Sequence, residues 1–354
     1  MSTVRANSYY DTSGGSNAQL YGVASPPNSM GFRNRIINGD MRIDQRNAGA
    51  SVTNGFAVDR FEFQENGAAA FTIQRSTVAP AGFTNSMLVT VTTAGSATAA
   101  QVNRFFQRVE GNNIADFGFG TASASTVTLS FWVRSSLTGT YCAALVNNAA
   151  NRAYVAEYSI SAANTWEYKT ITIAGDTTGT WETGTSSGVQ VTFDIGSGSD
   201  YNATAGSWVA ANDWRTTNQA NFANTSGATF YITGVQLEAG TNASAFERRD
   251  YGRELMMCQR YYYVMAGFYI EGYANSATVR AVTIPVNFPV TMRATPTRTV
   301  ITTGSYTNVR GNSSAYAGLG LVGLSATFAS ASIESAAAGL VQCSNQTESM
   351  SAEL

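Results

Sequence analysis

The side chain that most often carries proton chemistry is missing from this sequence: its 354 residues contain no histidine. That removes Ser-His-Asp and Cys-His nucleophiles, histidine-based zinc proteases and every imidazole metal site together. Carboxylate chemistry remains. Glu182, Asp194, Asp200 and Asp213 stand in turn-rich stretches between strand-like segments. Glycoside hydrolysis needs two such acids roughly 5 to 10 Å apart across a sugar. No local signature singles out a pair, and each reads more simply as a surface acid. Asp194 and Asp200 also lie in a loop, Asp194 to Asn202, whose oxygens could serve calcium. Its spacing is not that of an EF-hand, and no acidic twelfth position closes it; a solvated hairpin loop is the plainer reading. The expectation is therefore no catalytic residue and no cofactor, with Asp194 and Asp200 as weak calcium candidates.

Aromatic side chains offer a second kind of chemistry. Trp181, Tyr201, Trp208 and Trp214 sit among polar turn residues rather than inside alternating strands. Aromatic faces stack on sugar rings while Asn, Asp or Gln closes hydrogen bonds to the hydroxyls. Trp181, Tyr201, Trp214 and Asp213 are thus the candidate glycan-contact set. The competing expectation is that the tryptophans plug the ends of a β-sandwich, and Trp208, followed by Val-Ala-Ala, leans most that way.

Three further signals carry less. Gly318, Gly320 and Gly323 match a dinucleotide fingerprint, but the surroundings lack the strand-to-helix turn and the acidic residue that such a site needs. Among 33 glycines a chance match is the better account. Cys142, Cys258 and Cys343 lie far apart with no CxxC pair. They read as free thiols of a protein made in a reducing cytosol, not as a disulfide framework or a zinc site. With 21 basic and 23 acidic residues the net charge is −2, so no broad basic field exists to hold nucleic acid.

The elements that must position these residues read as β. Only 12% of residues are charged, about half the usual share, and 44% are hydrophobic, enough for real cores. No run of eighteen apolar residues appears, so no membrane insertion is expected, and residues 1–15 lack the apolar stretch of a signal peptide. Val127, Leu129, Phe131 and Val133 alternate with polar or outward residues, as do Val189, Val191, Phe193 and Ile195. Phe71 with Ile73, and Met87 with Val89 and Val91, mark earlier strands. Tyr154, Ala156, Tyr158 and Ile160 fit the same template, and so do Tyr231, Thr233, Val235 and Leu237. Between Trp166 and Ile173 the phase slips, because Trp166 and Tyr168 share one face and Ile171 and Ile173 the other; a bulge is expected there. Many short antiparallel strands with one buried face predict an all-β jelly-roll sandwich. Asp250 to Tyr262 predicts one helix with Asp250 as N-cap. A second, small β-rich region follows, with Pro285 marking an edge strand. Residues 311–339 are dominated by Gly, Ala and Ser. The organisation expected is an extended arm over 1–30, the sandwich over 31–243, a connecting helix over 244–263 and a C-terminal β domain over 264–354. Tyr9, Tyr10 and Tyr21 would anchor the arm to a partner.

Two stretches carry a resemblance. Asn34 to Met41, running into Ile43, Asp44, Gln45 and Arg46, with Val58 to Phe61 following, resembles the entry segment of tailed-bacteriophage tail-fiber and minor virion structural proteins. Tyr231 to Gly240 is similar to their closing jelly-roll strand, and Phe246 to Tyr262 to the helix after it. The likeness covers about residues 31–263. It implies a jelly roll like a carbohydrate-binding module, carried in a trimeric fiber or spike, and it transfers no catalytic residue. Related modules often end in an Asp-Asp pair beside a structural calcium; here that strand carries Thr233 and Gly234. Asn38 to Asp40 is expected to form a tight turn, and Asp59 with Arg60 a charge-assisted pair. The function expected is a fiber or spike subunit, not an enzyme, probing host-surface glycans as a homotrimer while its N-terminal arm docks on tail or portal-vertex proteins. A head fiber or capsid decoration protein is the alternative, and a depolymerising tailspike the remoter one.

Overall fold

The computed structural model describes residues 32–274, 282–302, 305–310, 316–322, 325–335 and 339–354. Twelve strands come first: β1 Gly55–Val58, β2 Phe61–Glu65, β3 Ala70–Ser76, β4 Ser86–Thr93, β5 Asn103–Glu110, β6 Val127–Ser135, β7 Gly139–Asn147, β8 Ala153–Ile160, β9 Glu167–Ile173, β10 Ser187–Asp194, β11 Trp208–Val209 and β12 Thr229–Ala239. They form a seven-stranded sheet in the order β1-β2-β5-β10-β7-β8-β11 and a five-stranded sheet in the order β3-β4-β12-β6-β9. Every strand pair is antiparallel, and the chain crosses between sheets at β2–β3, β4–β5, β5–β6, β6–β7, β8–β9, β9–β10 and β11–β12. That is a jelly-roll sandwich.

Period-2 alternation explains the core. Leu129, Phe131 and Val133 of β6 meet Val189, Val191 and Phe193 of β10 in one apolar cluster. Phe131 and Phe193 pack edge to face with centroids 5.0 Å apart, and Phe105 stacks on Phe193 at 5.1 Å. The β6–β9 ladder runs from Val127↔Ile173 to Val133↔Glu167 without a break. The expected bulge between Trp166 and Ile173 is therefore corrected: β9 alternates regularly, with Ile171 and Ile173 inward and Tyr168 outward. The break lies instead in β12, where the register shifts between Thr233 and Gln236 and Gly234 has φ +63°. Phe230 and Ile232 point inward before it, Val235 and Leu237 after it, so Tyr231 and Thr233 do not share a face with Val235 and Leu237 as alternation alone implied.

Helix α1, Tyr251–Gln259, is shorter than expected, because Tyr262 already opens the next strand. Asp250 caps it, its carboxylate accepting from the Arg253 N–H at 2.9 Å. The C-terminal strands are β13 Tyr262–Ala274, β14 Val282–Asn287, β15 Thr297–Thr302, β16 Ser305–Arg310, β17 Tyr316–Val322, β18 Phe328–Ser335 and β19 Gly339–Ser351. Strand β19 pairs with β13, β15 and β16, while β14, β18 and β17 form a three-stranded sheet. Pro285 lies on β14, an edge of that sheet, where a missing N–H costs no ladder bond. Gly318 and Gly320 lie on β17, antiparallel to β18, so the glycine fingerprint is not a strand-to-helix turn. Residues 1–31, with Tyr9, Tyr10 and Tyr21, lie outside the described residues, as does the side chain of Cys343.

Candidate functional site: an aromatic sheet face and a sealed arginine junction

The two sheets treat their outer faces differently. On the seven-stranded sheet, Cys142, Ala144, Val146, Ala153 and Val155 point away from the main core and would be wet but for Trp214, which closes over them. Trp214 is only 1% exposed. It stacks on Tyr201 with centroids 3.8 Å apart, has the Arg104 guanidinium 3.8 Å from its ring, and donates its indole N–H to Ser197 Oγ at 3.0 Å. Burial beside Trp214 pushes the Arg104 guanidinium down to about 10. Among the residues expected to touch glycan, Trp214 thus has no ring face open to a sugar. The same holds for Trp181, which is 8% exposed and packs against Phe119 and Trp208 at 4.9 and 5.4 Å. Trp181, Trp208, Phe119 and Tyr154 together plug one end of the sandwich. Tyr201 and Asp213 stay half-buried at the rim of the Trp214 lid, and desolvation raises the Asp213 carboxyl. These four residues do not form one open surface.

The calcium candidates are also apart in character. Asp194 is fully buried and accepts the N–H groups of Gly196 at 2.9 Å and Ser197 at 3.1 Å, tying the loop to its own strand. Burial raises its carboxyl. Asp200 is exposed in a short 3-10 turn. Among the described residues no group of three or more Cys, Asp or Glu is placed to hold a metal, and no helix is long and apolar enough to cross a membrane.

The five-stranded sheet keeps half its outer face open. At one end Thr128, Ser130, Gln236 and Glu238 are buried, with Thr128 and Glu238 held by Gly240 and Ser244 of the following segment. The other end carries aromatics, Tyr168 exposed and Trp132, Tyr231, Trp166 and Phe83 half-buried. Trp132 on β6 faces Tyr168 on β9 directly across the ladder, centroids 5.3 Å apart, and Tyr168 is 43% exposed. Tyr231 on β12 pairs with Arg134 on β6, whose guanidinium carbon is 5.0 Å from the tyrosine ring, and Trp166 lies 6.1 Å from the same ring. Phe83 continues the row: a Cβ on Gly234 would come within 2.8 Å of Phe83 and 3.2 Å of Trp132. Glycine at 234 therefore answers two demands, a left-handed backbone at the bulge and room for two rings above it. Phe246 packs on Phe83 at 5.2 Å. The Thr233 hydroxyl, buried at the same place, has no hydrogen-bond partner, a cost of about 1–3 kcal/mol.

Sequence reasoning passed over this face although its residues were in view. The alternation that sends Leu129, Phe131 and Val133 inward sends Trp132 and Arg134 outward, and an aromatic at an outward strand position was the available signal.

The residues of the entry segment do something else. The Asn38 side chain bridges the Ile43 N–H, at 2.9 Å, to the Ile43 and Asp59 carbonyls, and Met41 N–H closes the tight turn on Asn38 at 2.9 Å. Gly39 sits so close to Val235 that a Cβ would meet its carbonyl oxygen at 2.2 Å. Asp59 and Arg60 do not pair with each other, which corrects the expectation. Asp59 holds Gln45 and Arg46, the latter at 3.3 Å, while Arg60 pairs with Glu353 and stacks on Tyr261 at 3.4 Å. Arg46 also reaches Glu353 at 2.8 Å and lies 3.6 Å over Tyr262. Burial raises Asp59 despite the Arg46 charge beside it. Next to them Glu110 is fully buried; burial opposes its ionisation, but a two-pronged bond from Arg260 at 2.7 and 2.8 Å and the Tyr261 hydroxyl at 2.5 Å hold it below the usual range. This junction is packed shut and fastens sandwich, helix and C-terminal strands together.

No protein-family model matches the chain, and no curated protein matches it. Solved structures similar to it include the enzymatically active domain of tailspike protein 4 of bacteriophage CBA120, at 14% identity and a TM-score of 0.33, covering 58% of this chain and 21% of that one. They also include a family 11 carbohydrate-binding module of a Clostridium thermocellum cellulosomal cellulase, at 15% identity and a TM-score of 0.28, covering 56% of this chain and 99% of that one. TmCBM61, solved with β-1,4-galactotriose, is similar at 11% identity and a TM-score of 0.29, covering 59% of this chain and 99% of that one. The chain thus spans about a fifth of the tailspike chain's length. Neighbours this distant carry no argument, and the jelly-roll description rests on the chain's own sheet topology.

Proposed function

We propose that the protein is a virion structural subunit of a tailed bacteriophage, a fiber or spike component that binds host-surface glycan through the outer face of its five-stranded sheet. The observation that carries the glycan part is the row of Trp132, Tyr168 and Tyr231 on the outer face of the sheet, flanked by Trp166 and Phe83 from adjoining loops, with Tyr168 exposed and the other four rings half-buried. Flat aromatic groups held by a ladder present hydrophobic surface to the apolar faces of sugar rings without an ordering cost on binding. The virion part rests on the entry segment from Asn34 to Arg46 and the closing strand and helix from Tyr231 to Tyr262. In this reading residues 1–30 dock on a tail or portal-vertex protein through Tyr9, Tyr10 and Tyr21, and the C-terminal strands assemble a homotrimer.

Binding of the purified chain to host cells, with Trp132→Ala as the control, tests the first part. Retention of cell binding by the folded variant would remove the aromatic face from the proposal. Gold-labelled antibody on intact particles tests the second. Label on the tail supports a fiber or spike, label on the capsid moves the same module to a head fiber, and no label overturns the virion assignment.

A further inference from the structure

The aromatic face carries two cations that no side chain of the described residues neutralises. Arg134, over Tyr231, has only its Nε engaged among the described residues, by the Asn164 carbonyl at 2.9 Å. Arg248 is exposed, lies 4.7 Å from the Phe83 ring and 5.8 Å from that of Phe246, and donates only to the Gly82 carbonyl. The acids on β9, on β12 and in the segment that follows it are committed elsewhere, Asp250 to the cap of α1. Glu167 pairs with Lys169 at 2.6 Å and accepts the Ser161 and Ala162 N–H groups. Glu238 pairs with Arg33 and accepts from Ser244, and Glu247 accepts the Asn34 N–H and faces Arg249. The face is therefore electropositive although the chain as a whole has a net charge of −2.

The arginines are also spaced as if to bracket the rings. Arg134 sits beside Tyr231, Trp132 is opposite Thr233, Phe83 rests over Gly234, and Arg248 lies on Phe83. Tyr231 to Gly234 is roughly 10 Å of strand at about 3.3 Å per residue, which is oligosaccharide scale. A guanidinium lying flat on an aromatic ring keeps its planar fork oriented, and that fork matches a carboxylate with two parallel hydrogen bonds.

We infer that the ligand of this face is an acidic polysaccharide: sugar rings stack on Trp132 and Tyr168 while carboxylates of the sugars are taken by Arg134 and Arg248. The inference rests on the glycan reading above and adds the chemical class of the ligand. Charge complementarity selects this occupant over a neutral glycan, which leaves both forks unused.

The test uses the full chain on immobilised polygalacturonate, hyaluronate and polysialate, each beside its carboxyl-reduced form, with dextran and mixed-linkage β-glucan as neutral polymers. Acidic forms should bind, and carboxyl reduction should weaken binding by about tenfold or more, the scale of one lost charged hydrogen bond. The Arg134→Ala/Arg248→Ala protein should keep its melting temperature, lose that preference and lose the salt sensitivity of binding. Equal binding of native and reduced forms, or a preference that survives the double substitution, overturns the acidic class. If Trp132→Ala still abolishes that binding, the glycan reading stands without it. Binding to none of the polymers, or self-association that Tyr168→Ala disrupts, overturns both.

Discussion

Trp132 and Tyr168 stand opposite each other on neighbouring strands, ring centroids 5.3 Å apart, on the side of the sheet turned away from the core. Phe131, next to Trp132, and Ile171, three residues after Tyr168, point the other way into the core. Trp132→Ala and Tyr168→Ala should therefore cost at most about 1 kcal/mol of stability, the range of surface substitutions. Affinity for the glycan should fall by about 2 kcal/mol or more if these are the anchoring residues. Paired thermal melts and binding isotherms check it, and a variant that unfolds instead would show that the rings belong to the core.

Trp214 makes the opposite case. Its indole covers Cys142, Ala144 and Val146, so Trp214→Ala opens a cavity against a sheet face and should cost about 3–5 kcal/mol. The buried Cys142 thiol, pushed up to about 11 by desolvation, should become reactive toward a thiol reagent at neutral pH only in that variant. A native-like alkylation rate in Trp214→Ala would contradict the lid.

Gly234 joins both behaviours. Alanine there must take φ +63° and press on Phe83, so Gly234→Ala should lose about 1–3 kcal/mol. It should also weaken glycan binding, since Phe83 and Trp132 rest above it. Full binding by the variant would show that the rings do not depend on the bulge.

Glu110 gives a pH signature. Its folded pKa lies below the ordinary 4.5, so its stabilising contribution is complete above 4.5 and is lost as pH falls from there through the folded value. Asp59 and Asp194, raised from 3.8, act with the opposite sign: they cost stability when ionised and relax on acidification. The difference in unfolding free energy between the native chain and Glu110→Gln isolates the first group. That difference should shrink between pH 5 and about pH 3, and a pH-independent difference would rule the ion pair out as its source.

How much of this could be read from the sequence divides along the range of the interactions. Strands β3, β4, β6, β8 and β10 follow from alternation because each residue's side is fixed by its neighbours. The N-cap Asp250 follows from a contact three residues long. What alternation could not supply is which outer face stays wet. The stretch carrying Trp214 looks like an open loop until it folds back over β7 and β8. Assuming that apolar and aromatic residues of one strand share its buried face produced the spurious bulge in β9, and looking for sugar-binding aromatics only in turn-rich stretches favoured Trp181 and Trp214 over Trp132 and Tyr168. Asp59 and Arg60 looked like partners because they are adjacent, whereas the carboxylate that Arg60 uses is 293 residues away.

The hold of Arg46 and Arg60 on Glu353 has a consequence for the order in which the molecule is completed. Arg60 is 3% exposed, and a cation taken out of water without its counterion costs several kcal/mol. The ion pairs join positions 307 and 293 residues apart, among the longest loops the chain can close. During synthesis the sandwich strands leave the ribosome long before Glu353 exists, so the entry segment must wait, its arginines still hydrated, for that residue. Sealing the seam thus reports that synthesis has passed residue 353, and a product cut short of Glu353 keeps an open, charged gap where the longer one is shut.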